Sequence, residues 1–126
     1  MNESLAELRI PARRPMMLVL RLTTAGVLTR CAMGVDRLDD AKMAVEEAAA
    51  CMLCEDAGTL TVRYQREEKG VRVYVTADEG CPCDTVSDSE TEVIRSILEV
   101  LADGVVIRKC MGRVREIELL FAAEKA

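Results

Sequence analysis

The spacing of apolar positions changes near the middle of the chain. Through residues 38–55, LDDAKMAVEEAAACMLCE, the residues Leu38, Ala41, Val45, Ala48, Ala49 and Met52 recur at three- and four-residue intervals, the rhythm of a helix with one stripe on a core. A second stripe, Asp40, Ala44, Glu47, Cys51 and Cys54, follows the same rhythm and puts carboxylates and two thiols on one further face. Its other reading is a run of small residues that lets a neighbouring element pack closely. Asp36 is placed to cap this helix, which is expected to close around Asp56, Ala57 and Gly58.

Before it, residues 6–10 alternate and stop at Pro11, as a short edge strand does. A helix is predicted from Arg14, with Pro15 in its first turn, an inner face of Met17, Leu18, Leu22, Ala25 and Leu28, and a stop at Gly34. After it, Leu60, Val62 and Tyr64 alternate with polar residues, a turn spans residues 66–70, and Val71, Val73 and Val75 return as the second arm of an antiparallel hairpin. Residues 77–89 read as a loop. Asp88 or Ser89 then caps a helix over residues 90–101, with Val93, Ile94, Ile97, Leu98 and Leu101 inward. A closing hairpin over 105–108 and 114–121 turns at Met111 and Gly112 and aligns Ile117, Leu119 and Phe121. Strand, helix, helix, strand, strand, helix, strand, strand predicts an α+β two-layer sandwich, a mostly antiparallel sheet with helices on one face, in a single domain over residues 1–126.

Composition narrows the chemistry. Half of the 126 residues are hydrophobic but only 2% are aromatic, so the core is aliphatic. A formal charge of −5 and the scarcity of stacking side chains argue against nucleic acid. The longest apolar run, residues 16–20, is too short to cross a bilayer, so no membrane partner is expected. The opening MNESLAELRI has no charged stretch followed by an apolar one, and the chain is read as cytoplasmic. Its six cysteines are then reduced thiols or metal ligands, and the absence of histidine removes the commonest general base.

These pieces together resemble the Bergerat or GHKL ATPase fold, the histidine kinase-like ATPases, and among them the small anti-sigma-factor serine kinases. Residues 7–48 follow that family's opening, including Pro11, Arg21, Gly26, Arg30, Asp36, Asp40, Lys42 and Glu47; VYVTADEG (73–80) and LEVLADGVVI (98–107) extend the likeness. The resemblance implies that Glu47 orients or activates the attacking group. The family's magnesium-holding Asn, four residues on, is Cys51 here, and a thiol is a poor ligand for a hard cation. Asp78 and Gly80 match the box that reads adenine, although Asp78 also reads as a turn residue bonding its own backbone. Glu92, Val93 and Ile94 stand where a glycine-rich turn cradles phosphate, so a carboxylate replaces the cradle.

The family's architecture also places Cys51 and Cys54 opposite Cys81 and Cys83, a soft set suited to zinc or an iron–sulfur cluster, with a redox pair and incidental buried thiols as the alternatives. The expected function is that of a regulatory anti-sigma-factor-like protein, a homodimer binding a sigma factor or an antagonist protein, with a decayed or repurposed ATP pocket. The alternatives are an ATP-dependent serine-protein kinase using Glu47 and Asp78, with weak or no magnesium dependence, and a thiol-based metal or redox sensor.

Overall fold

Alternation decides which side of each strand is dry. In β2 (Thr59–Glu67) Leu60, Val62 and Tyr64 are buried; in β3 (Gly70–Ala77) Val71, Val73, Val75 and Ala77; in β5 (Arg113–Ala122) Ile117, Leu119 and Phe121. The computed structural model describes residues 2–31, 33–54, 58–78 and 85–123, and adds β1 (Glu3–Pro11), a 3-10 turn (Arg14–Met16), α1 (Met17–Leu28), α2 (Val35–Ala50), α3 (Asp88–Leu101) and β4 (Gly104–Cys110). The strands form one antiparallel sheet in the order β1-β2-β3-β5-β4. The helices cover one face in the order α1, α2, α3, with α1 beside β1, α2 over β3 and β5, and α3 beside β4. This is the expected α+β sandwich. Among the described residues no helix is long and apolar enough to cross a membrane.

Residues 68–69 close the β2–β3 hairpin, and Gly70 follows at φ +151°, where an added Cβ would lie 2.1 Å from the Phe121 carbonyl oxygen. Met111 and Gly112, both at positive φ, close the β4–β5 hairpin as a primed turn, the hand that matches strand twist. In α2 the buried residues Ala41, Ala44, Val45, Ala48 and Ala49 are small, which lets the helix settle close to the sheet. The sheet's other face is charged. There Glu118 accepts from Arg72 and from Arg108 (2.8 Å), Glu67 accepts from Arg72 (2.6 Å), and Arg63 lies 4.6 Å from the Tyr74 ring centroid.

Several expectations change. The first helix ends at Leu28, and Gly34 serves as the N-cap residue of α2, so Asp36 lies in the first turn. Its inner face is Leu20, Thr24 and Leu28, whereas Leu18 and Leu22 are 57% and 64% exposed. Apolar residues on every side of α1 left the period without a preferred direction. Tyr64 decides it, because its hydroxyl pairs with buried Thr24 at 2.7 Å and removes the cost of turning a polar residue inward. Likewise α3 buries Thr91, Leu98 and Leu101 but exposes Val93 and Ile97. Its cap is Ser87, which accepts from Glu90 N at 3.1 Å while Glu90 accepts from Ser87 N, a capping box set one residue before Asp88.

Candidate functional site

The residues singled out by sequence lie in three places. Glu47 sits on the outer part of α2, exposed in the helical layer. The helix stops at Ala50, so Cys51 is its C-cap and Cys54 lies beyond it on a segment whose backbone N–H donates to the Ala12 carbonyl (2.8 Å). The expected single stripe from Asp40 to Cys54 is therefore cut short, and its member Ala44 belongs to the core. The Cys51 thiol donates to the Glu47 carbonyl oxygen at 3.2 Å. Burial, and then the neighbouring Glu47 carboxylate, push its pKa up to about 11. A thiol so placed stays protonated at neutral pH, which opposes metal ligation and nucleophilic attack alike.

Asp78 follows the last residue of β3. Ala77 points into the core, so Asp78 turns to the other side, and the Thr61 hydroxyl donates to its carboxylate at 2.9 Å. Thr59 donates a second hydrogen bond, Arg9 Nε lies 3.3 Å away, and the Asp78 backbone N–H donates to the Thr59 carbonyl at 3.0 Å. Leu60 and Val62, flanking Thr61, face the helices, which puts this cluster on the helix-free face. The sheet thus stands between the Asp78 carboxylate and Glu47. Neither Thr59 nor Thr61 was singled out by sequence, yet the signal was present: a turn at residues 68–69 pairs Leu60 with Ala77 and Thr61 with Thr76, and so brings Thr59 level with Asp78.

At the start of α3 the capping box already satisfies backbone groups, and Asp88, Glu90 and Glu92 crowd the first turns with negative charge. Glu92 is exposed and lies 3.5 Å from Arg95 Nε. Lys109 Nζ, 3.5 Å from Asp88, donates to the Val86 carbonyl at 2.6 Å. Gly80, Cys81 and Cys83 lie outside the described residues. Among the described residues no three Cys, Asp or Glu side chains come together to hold a metal ion.

No protein-family model matches the chain. Among curated proteins it is similar to serine-protein kinase RsbW of Bacillus cereus (strain ATCC 10987 / NRS 248), with 33% identity over 82 residues, 62% of this chain and 51% of that protein. Serine-protein kinase RsbW of Bacillus mycoides (strain KBAB4) is 33% identical over 78 residues, 59% of this chain and 48% of that protein. The chain spans about half the length of the curated relatives it matches. On this similarity and this fold, the chain resembles the serine-protein kinase RsbW proteins, and its α+β sandwich is consistent with the GHKL type.

Proposed function

We propose that the chain is a regulatory, anti-sigma-factor-like protein of the cytoplasm that acts by binding a sigma factor or an antagonist protein, with an ATP cleft that has lost its grip on magnesium and triphosphate. The observation that carries this reading is the position of Asp78. Its carboxylate is engaged by Thr59, Thr61 and Arg9 on the helix-free face, and the sheet separates it from Glu47. Cys51, a neutral thiol where the family keeps an oxygen ligand, supports the same reading. So do the acidic first turns of α3, which repel phosphate. The residues present do not fit Mg²⁺-ATP in the manner the resemblance implies. The exposed Leu18, Val19 and Leu22 of α1, with Met43 of α2, offer an apolar surface to a protein partner, and the Arg21–Glu46 ion pair (2.9 Å) sits beside it.

A second reading is an ATP-dependent serine-protein kinase. It is favoured by the relatives' name and by the accessible carboxylate of Glu47, which stands ready as a base. Thermal unfolding with and without Mg²⁺-ATP separates the two. A ligand at a hundred times its Kd stabilises the native state by about 2.7 kcal/mol. The regulatory reading expects no shift at millimolar nucleotide; a rise of several degrees that Asp78→Asn abolishes would overturn it in favour of the kinase.

A further inference from the structure

The helix layer leaves one end of the sheet uncovered. α1 ends at Leu28 and α2 begins at Val35, and a cleft of about 320 Å³ opens between their connection and the sheet, at the small end of the roughly 300 to 1,000 Å³ usual for small-molecule sites. Its floor is one row across the strands, where Arg66 pairs with Val71 and Val71 with Phe121. Val71 and Phe121 are buried, whereas Arg66 takes the place that alternation after Leu60, Val62 and Tyr64 reserves for an apolar side chain. Arg30, Cys31 and Met33, from the connection, form the other wall. Two guanidinium groups therefore stand at the cleft. Arg66 Nη2 donates to the Arg30 carbonyl oxygen at 3.3 Å and lies 3.9 Å from Cys31 Sγ, and its Nη1 is 3.7 Å from the exposed Glu3 carboxylate. Arg30 is exposed, and its side chain makes no ion pair or hydrogen bond among the described residues. The carboxylate of the lining residue Glu67 is already held by Arg72, whose Nε and Nη2 donate to its two oxygens at 2.6 and 3.1 Å.

We propose that this cleft binds a small organic acid, with its carboxylate between Arg30 and Arg66 and an aliphatic body against Met33, Val71 and Phe121. A guanidinium fork matches a carboxylate in both shape and charge. With Glu67 held by Arg72, the two cations face only the exposed Glu3, and the surplus suits a monoanion better than a phosphate dianion. Apart from one phenyl ring the walls are aliphatic, so burial of apolar area rather than stacking supplies the rest of the affinity. The free Cys31 thiol lies in the wall, where a bound acid covers it. β3 runs from this cleft to Asp78, roughly 25 Å away at about 3.3 Å per residue, and the exposed Leu18, Val19 and Leu22 lie in the first half of α1. Occupancy of the cleft is thus independent of the nucleotide region and of what the α1 surface binds.

Alkylation of Cys31 by iodoacetamide, followed by mass, tests this with sodium octanoate as the ligand. Octanoate is expected to slow Cys31 labelling about fivefold or more at saturation, with a Kd of about 0.1 to 1 mM for an acid of this size, and to leave exposed Cys110 unchanged. Octanol, which has the tail without the charge, is expected to give little protection, as are acetate and inorganic phosphate, which have charge without the tail. Arg30→Gln alters an exposed, uncommitted side chain, so the melting curve should stay unchanged while octanoate affinity falls about tenfold. Arg66→Gln should weaken binding as much; if it also lowers the melting temperature, Arg30→Gln alone decides. Affinity is read from the ratio of Cys31 rates with and without octanoate, which removes any change in the thiol's own reactivity. Unslowed labelling at about 10 mM octanoate overturns the proposal. So does equal protection by octanol or by phosphate, or unchanged affinity in Arg30→Gln.

Discussion

Removing the Asp78 carboxylate asks whether it is a structural or a ligand-reading group. In the protein alone it accepts hydrogen bonds from Thr59 and Thr61 and an ion pair from Arg9. Hydrogen bonds to a charged group contribute about 1.5 to 3 kcal/mol each when sheltered, and the Asp78 side chain is 23% exposed, which places this pair toward the lower end. Arg9 is 70% exposed, so its ion pair adds roughly 0 to 1 kcal/mol. Asp78→Ala is therefore expected to cost about 3 to 4 kcal/mol in the absence of any nucleotide. With an unfolding entropy of about 2.1 cal/mol/K per residue, that is a fall in Tm of roughly 11 to 15 °C. Urea denaturation of Asp78→Ala, Thr61→Val and the double variant measures the coupling directly: the double variant should lose less than the sum of the singles. A Tm for Asp78→Ala within about 2 °C of the parent would refute the reasoning, because a carboxylate waiting for adenine has little to lose in its absence.

Other expectations follow from single contacts. Burial lifts the Tyr64 phenol to about 12, whereas in the unfolded chain it titrates near 10.0; the folded state keeps the proton longer, so stability is complete below pH 10 and is lost as pH rises toward 12. At pH 11 the parent should have lost about 1.4 kcal/mol more than Tyr64→Phe, and parallel alkaline losses in urea melts would sink the assignment. Tyr64→Phe at pH 7 leaves buried Thr24 without its 2.7 Å partner and should cost about 1 to 2 kcal/mol, with Thr24→Val restoring part of it. Gly70→Ala drives a methyl group toward the Phe121 carbonyl at a positive φ, and a loss of about 3 kcal/mol in chemical denaturation is expected. With its pKa near 11, Cys51 should alkylate far more slowly at pH 8 than exposed Cys110, as mass-resolved labelling will show.

Much of this architecture is written locally. The period-two runs of β2, β3 and β5, the inner stripe of α2, the turn at Met111 and Gly112 and the order of elements all follow from alternation and turn chemistry, because each is decided by residues a few positions apart. What the chain could not announce is which way an element faces when both sides are apolar. Leu18 and Leu22 read as core and are surface, since only the meeting of Thr24 with Tyr64, 40 residues away, orients α1. Val93 and Ile97 are left open because, among the described residues, α3 is the last helix over the edge strand and α2 is the one helix packed beside it. Asp78 is the sharpest case. Its place after a valine-rich strand is a sequence property, but the destination of its carboxylate depends on hairpin register and on a third strand bringing Arg9, and such long-range pairings exist only once the sheet has formed.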